Sequence, residues 1–208
     1  MPDSPINHTL SDAEQRVLGD SLYCEDELSL SWSLVLDLPG PQVLNRQNHR
    51  NESVLRALTM LEEHDESQAD DTERADLYRL ESKLNLMLEL VAELVRERAG
   101  GVAPVQMRFN AAGLCWYTDE AFPQGTLLVT HWYLLPSWPV ALQLYARVRS
   151  CRADGDLNLV CADLEGVSTG VAEWLEKLVF RRHRRAVALQ RTYRHAGPGQ
   201  SDDKPSEP

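Results

Sequence analysis

From Leu28 to Leu34 apolar and polar side chains alternate, and after Val35 the apolar phase continues at Leu36. Leu28, Leu30, Trp32, Leu34 and Leu36 share one face, and Ser29, Ser31 and Ser33 share the other. A period of two marks a half-buried strand, because successive side chains of an extended chain point to opposite sides. Pro39-Gly40-Pro41 follows as a stop. From about Asn48 the period becomes helical, with Val54, Leu55, Leu58 and Leu61 in one stripe and Ala57 beside it. An acidic stretch from Glu62 to Asp76 interrupts the stripe and predicts a break near Asp70 and Asp71. A second helix then runs to about Arg98, where Gly100-Gly101 ends it. Its acidic start and its closing Arg96 and Arg98 both complement the helix dipole.

That second helix carries the most regular pattern in the chain. Leu77, Leu80, Leu84, Met87, Val91 and Leu94 recur at alternating spacings of three and four, the a/d seam of a coiled coil. Leu86, Leu88, Leu90 and Val95 broaden the face beyond what a two-stranded coil needs. The register points to self-association.

After Gly101 the chain becomes a series of short strands: Val105–Phe109, Leu114–Thr118, Thr126–Leu134, Val140–Val148 and Leu157–Leu164. Turn signals at Ala111-Ala112-Gly113, Pro123-Gln124-Gly125, Pro136-Ser137 and Asp154-Gly155 separate them. With Leu28–Leu36 as a sixth, they suit a small antiparallel barrel in an α+β protein. A last helix starts near Ser168 or Thr169 and runs to about Arg194, with Val171, Leu175, Leu178, Val179 and Val187 among its apolar positions. Residues 1–20 and 195–208 are too polar to bury much surface and are expected to be flexible.

The chain has 208 residues, 43% hydrophobic and 25% charged, enough for one domain with a sizeable core. Its formal charge of -11 argues against bulk affinity for nucleic acid or anionic membrane. No run of about 18 apolar residues predicts a membrane span, and the first residues carry no signal-peptide core. A cytoplasmic protein is expected. Cys24, Cys115, Cys151 and Cys161 lie too far apart for a zinc ribbon or a redox dithiol motif, and read as buried reduced thiols.

Catalytic patterns are lacking: there is no Gly-x-Ser-x-Gly, no His-Glu-x-x-His and no phosphate-cradling loop. His131 reads as an ordinary strand histidine, and no metal site is expected. Arg181, Arg182, Arg184 and Arg185 present several guanidinium forks on the last helix, suited to phosphate or an acidic partner. Two shorter features complete the inventory. Arg46 and Arg50 make an Arg-x-x-x-Arg, and Arg108-Phe109-Asn110-Ala111-Ala112-Gly113 leads through a tight turn into a strand.

Together with a six-stranded barrel and a closing helix, these features resemble a PilZ domain, the bacterial receptor module for cyclic di-GMP. The resemblance covers residues 21–194 and is strongest to the atypical tetrameric PilZ proteins of xanthomonads, in which heptad helices drive assembly. The ordinary family grips its ligand with an Arg-x-x-x-Arg segment and an Asp/Asn-x-Ser-x-x-Gly turn. Arg46 and Arg50 match the first in type, and Gly113 matches the closing glycine. Asn110 falls where the serine belongs, and Arg108 stands in place of the acidic or amide residue, which inverts the charge.

The resemblance thus implies a PilZ-like six-stranded barrel at 21–44 and 102–194, including the C-terminal helix, with a helical oligomerisation insertion at 45–101. It implies a non-enzymatic signalling adaptor that forms a homotetramer, takes a protein partner, needs no cofactor and carries a degenerate nucleotide motif. The alternative is a genuine cyclic di-GMP receptor using Arg46, Arg50, Asn110 and Gly113.

Overall fold

The computed structural model describes residues 10–64, 83, 84, 86–95, 104–135 and 138–195, apart from the side chains of 61–64 and 189–195. Leu77, Leu80, most of the acidic stretch, its expected break, the Gly100-Gly101 stop and the 196–208 tail lie outside the described residues.

Six strands close into an antiparallel barrel in the order β1-β2-β3-β6-β5-β4: β1 (Cys24–Val35), β2 (Pro104–Phe109), β3 (Gly113–Thr118), β4 (Leu127–Tyr133), β5 (Leu142–Asp154) and β6 (Leu157–Glu165). β1 is long enough to serve two neighbours. Its first half, Cys24–Ser29, pairs with β2, and Ser29–Val35 pairs with β4. That division closes the cylinder. The interior is filled by Leu28 and Leu30 of β1, Met107 and Phe109 of β2, Leu114 and Trp116 of β3, Leu128 and Trp132 of β4, and Val160 and Ala162 of β6. Burial of such side chains stabilises by about 1.5–3 kcal/mol each.

Three sequence expectations need correction. The alternating strand does not bury its whole apolar face: Leu34, at the end of β1, is 70% exposed, and Leu36, past that end, is 98% exposed. Pro39-Gly40-Pro41 ends β1 but also starts a helix. Helix α2 runs Pro41–His64, well before Asn48, since proline lacks only an N–H that a first-turn position would leave unpaired anyway. The expected flexible N-terminus contains α1 (Asp12–Leu18), capped by Ser11, whose backbone N–H and hydroxyl both donate to the Glu14 carboxylate, at 2.8 and 2.7 Å.

The C-terminal helix, α3 (Thr169–His195), starts where the last expected helix should. The Ser168 hydroxyl caps it by accepting the Val171 N–H at 3.2 Å and donating to Glu52 of α2 at 2.8 Å. α2 and α3 pack together and sit on the barrel through Val54, Leu55, Leu58, Val171, Leu175, Leu178 and Val179. Asn51 of α2 is buried against β5, beyond the last residue that β6 pairs. It donates to the Gln143 carbonyl at 2.8 Å and accepts the Gln143 N–H at 3.1 Å, so one side-chain amide extends the ladder as a further strand residue would. Residues 83, 84 and 86–95 are helical. No helix among the described residues is long and apolar enough to cross a membrane.

Candidate functional site

On the outer wall of the barrel, Glu25, Arg108, Cys115 and Cys161 are successive cross-strand partners on β1, β2, β3 and β6. α1 lies on the part of this row formed by β3 and β6, where Val17 and Leu18 pack with Cys115, Leu159 and Cys161. Both faces of β3 are therefore covered, Leu114 and Trp116 by the barrel interior and Cys115 by α1.

The turn between β2 and β3 is the PilZ-like segment. Arg108 is held by two carboxylates, donating to Glu14 at 2.6 Å and to Glu25 at 3.0 Å. Burial works against the charge of both partners in the first of these pairs. For Glu14 the bonds from Ser11 and Arg108 outweigh that penalty and hold its pKa below the ordinary value. For Arg108 the two carboxylates push the pKa further up, so the guanidinium is a permanent cation.

Asn110 is buried, and its side chain is bonded at both ends. Its side-chain oxygen accepts the N–H of Ala112 at 2.9 Å and of Gly113 at 3.1 Å, and its amide donates to the Leu18 carbonyl at the end of α1 at 2.8 Å. A Cβ at Gly113 would collide with Val17 and would come within 2.6 Å of the Ala162 carbonyl oxygen. Glycine is required here by close approach of helix and strand, the physical need that a ligand-contacting turn would also impose.

Arg46 and Arg50 stand one helical turn apart on α2, both exposed. No hydrogen bond or ion pair joins them to Arg108, Asn110 or Gly113 among the described residues. Arg50 faces the β4 side of the barrel instead: burial and then the Arg50 charge lower the pKa of His131. The C-terminal arginines divide. Arg181 donates to the Thr59 carbonyl at 3.0 Å; Arg182 donates to Asp26 at 2.7 Å and to the Leu134 carbonyl at 2.8 Å, tying α3 to β1 and to the end of β4. Arg184 and Arg185 are exposed, with Arg184 5.9 Å from the Phe180 ring centre.

The described part of the heptad seam faces solvent. Leu84, Met87, Val91 and Leu94 are 46–66% exposed, and Leu86 and Leu90 beside them are more than half exposed. Sequence reasoning singled out this face and the Arg108–Gly113 turn. It missed Glu14, Val17 and Leu18, which complete the turn, because they were assigned to a flexible terminus. Their signal was present in Ser11-Asp12-Ala13-Glu14, a capping box.

A family described as "atypical PilZ domain, cyclic di-GMP receptor" has a model that matches residues 55–192. The matched span takes in the Arg108–Gly113 turn and the heptad segment, and begins after α1, β1, Arg46 and Arg50. Among solved structures, a pathogenic protein from Xanthomonas campestris superposes with a TM-score of 0.65 at 26% identity, covering 85% of this chain and 95% of that one. That protein is described as a tetrameric PilZ domain self-assembled through an unusual helical bundle. No curated protein matches the sequence.

Proposed function

This chain belongs to the atypical PilZ domain family, and on that premise we propose that it is a non-enzymatic adaptor of cyclic di-GMP signalling that assembles as a homotetramer. In this reading residues 45–101 are the assembly insertion. Residues 21–44 and 102–194 are the barrel that the insertion multiplies, a soluble cytoplasmic unit offered to a protein partner.

The observation that carries the reading is the exposed a/d face. Leu84, Met87, Val91 and Leu94 keep heptad register along helical residues and remain open to solvent, a costly arrangement for a single copy. Burial against further copies would contribute on the order of 1.5–3 kcal/mol per large side chain. The tetrameric Xanthomonas campestris protein supports four as the number. The turn supports the adaptor half of the reading. Arg108 is paired with two carboxylates, the Asn110 side chain is bonded at both its oxygen and its nitrogen, and Val17 of α1 lies against Gly113.

The double variant Leu84→Asp/Val91→Asp tests assembly. It is expected to fold, with an unchanged far-ultraviolet spectrum of the barrel and helices, and to run as a monomer in light scattering. A double variant that keeps the wild-type mass would show that the seam lies elsewhere.

A second reading, a true cyclic di-GMP receptor, is favoured by the exposure of Arg46 and Arg50 on one face of α2. Calorimetric binding that disappears in Arg46→Ala and Arg50→Ala would establish it in place of the adaptor.

A further inference from the structure

Cys115 and Cys161 are direct cross-strand partners on β3 and β6 and lie together in one buried cluster. Opposed residues of an antiparallel pair have Cα atoms about 4.5–5.5 Å apart, inside the span of about 4.4–6.8 Å that a disulfide bridges. The two thiols are 1% and 0% exposed, and the residues that cover them on the outer wall include Val17 and Leu18 of α1.

That cover is slight. α1 has seven residues, fewer than a helix needs to persist alone in water. It is tied down by the Glu14–Arg108 ion pair and by the bond from Asn110 to the Leu18 carbonyl. While it is docked, the Cys161 thiol and burial both push the Cys115 pKa up, which suppresses the reactive thiolate. Local undocking of a short helix costs far less than global unfolding.

We propose that Cys115 and Cys161 form a redox-active dithiol gated by α1, oxidised by a peroxide to a cross-strand disulfide when the helix lifts. One thiol, deprotonated, attacks a peroxide oxygen. A sulfur–oxygen bond forms, the oxygen–oxygen bond breaks, and the departing hydroxide is protonated to water. The second thiolate then attacks the sulfenic sulfur, forming the disulfide as the sulfur–oxygen bond breaks and a second water leaves. Two thiols give up two electrons and two protons, hydrogen peroxide becomes two waters, and a low-molecular-weight thiol reverses the bond by exchange. The site is independent of any nucleotide. It places a redox input under the same helix that closes the Arg108–Gly113 turn.

The test treats the full chain with hydrogen peroxide and follows intact mass and non-reducing peptide maps, with Cys24 and Cys151 as internal comparators. The wild type is expected to lose two hydrogens, to give a linked peptide joining Cys115 to Cys161, and to recover on adding a thiol. Glu14→Gln is expected to form the link about tenfold faster, since it removes a charge-assisted bond from the latch. Cys115→Ser and Cys161→Ser should give no link. Because either serine variant could disturb packing, wild type against Glu14→Gln is the deciding comparison. Equal rates in the two would overturn the gating. Absence of the linked peptide in both, while maleimide labels the two thiols, would overturn the dithiol.

Discussion

Glu14 is the residue on which the arrangement of the barrel wall turns. Its carboxylate takes two bonds from Ser11, which start α1, and one from Arg108, which docks α1. Burial alone would raise its pKa, yet Ser11 and Arg108 hold it below the ordinary value. A carboxyl with a depressed folded-state pKa contributes stability above its unfolded value and loses it as pH falls through the folded one. The methyl resonances of Val17 should therefore stay at their docked positions from pH 7 to about 5 and move toward undocked values below about pH 4. In Glu14→Gln that transition should vanish. Gly113 offers a second check. Gly113→Ala places a methyl against Val17 and the Ala162 carbonyl, and overpacking against backbone should cost about 1–3 kcal/mol, read as a lower denaturant midpoint. The motif residues Arg108, Asn110 and Gly113 were legible in the sequence. Their partners were not, because Glu14 lies 94 positions from Arg108 and no local period connects the two.

Among elements, the strand with one wet face is marked by its alternation, and the one covered on both faces by a short apolar run between turn signals. β1 alternates through its serines, whereas Gly113–Thr118 reads as a continuous buried run because α1 lies outside it and the core inside. β5 reaches Asp154 through polar residues, past the apolar stretch that marks it in the sequence. α2 shows the limit of breaker residues, since a Pro-Gly-Pro run that ends a strand can equally supply the first turn of a helix. Asn51 has no sequence signature at all, being one amide on a polar stretch. Asn51→Ala should nevertheless cost about 1–3 kcal/mol, because it leaves the partly buried N–H and carbonyl of Gln143 without their partner. A thermal melt that does not shift would mean that water replaces the amide. Of the basic cluster expected to meet phosphate or a partner, Arg181 and Arg182 hold α3 to α2 and the barrel, while Arg184 and Arg185 lie on its exposed surface.

At the scale of the molecule, the barrel and the heptad face were legible for one physical reason: both are periodic, and periodicity survives in a single sequence. The closed order β1-β2-β3-β6-β5-β4 was not, since pairing partners far apart in the chain leave no local trace. The proposed account joins these parts: a PilZ barrel whose Arg108–Gly113 turn is covered by α1, with an exposed heptad face that the proposal assigns to assembly. Light scattering after size exclusion, with and without excess cyclic di-GMP, tests that account most directly. The account predicts a mass close to four times 23.5 kDa that nucleotide leaves unchanged. A monomer, or a mass that moves when the nucleotide is added, would contradict it.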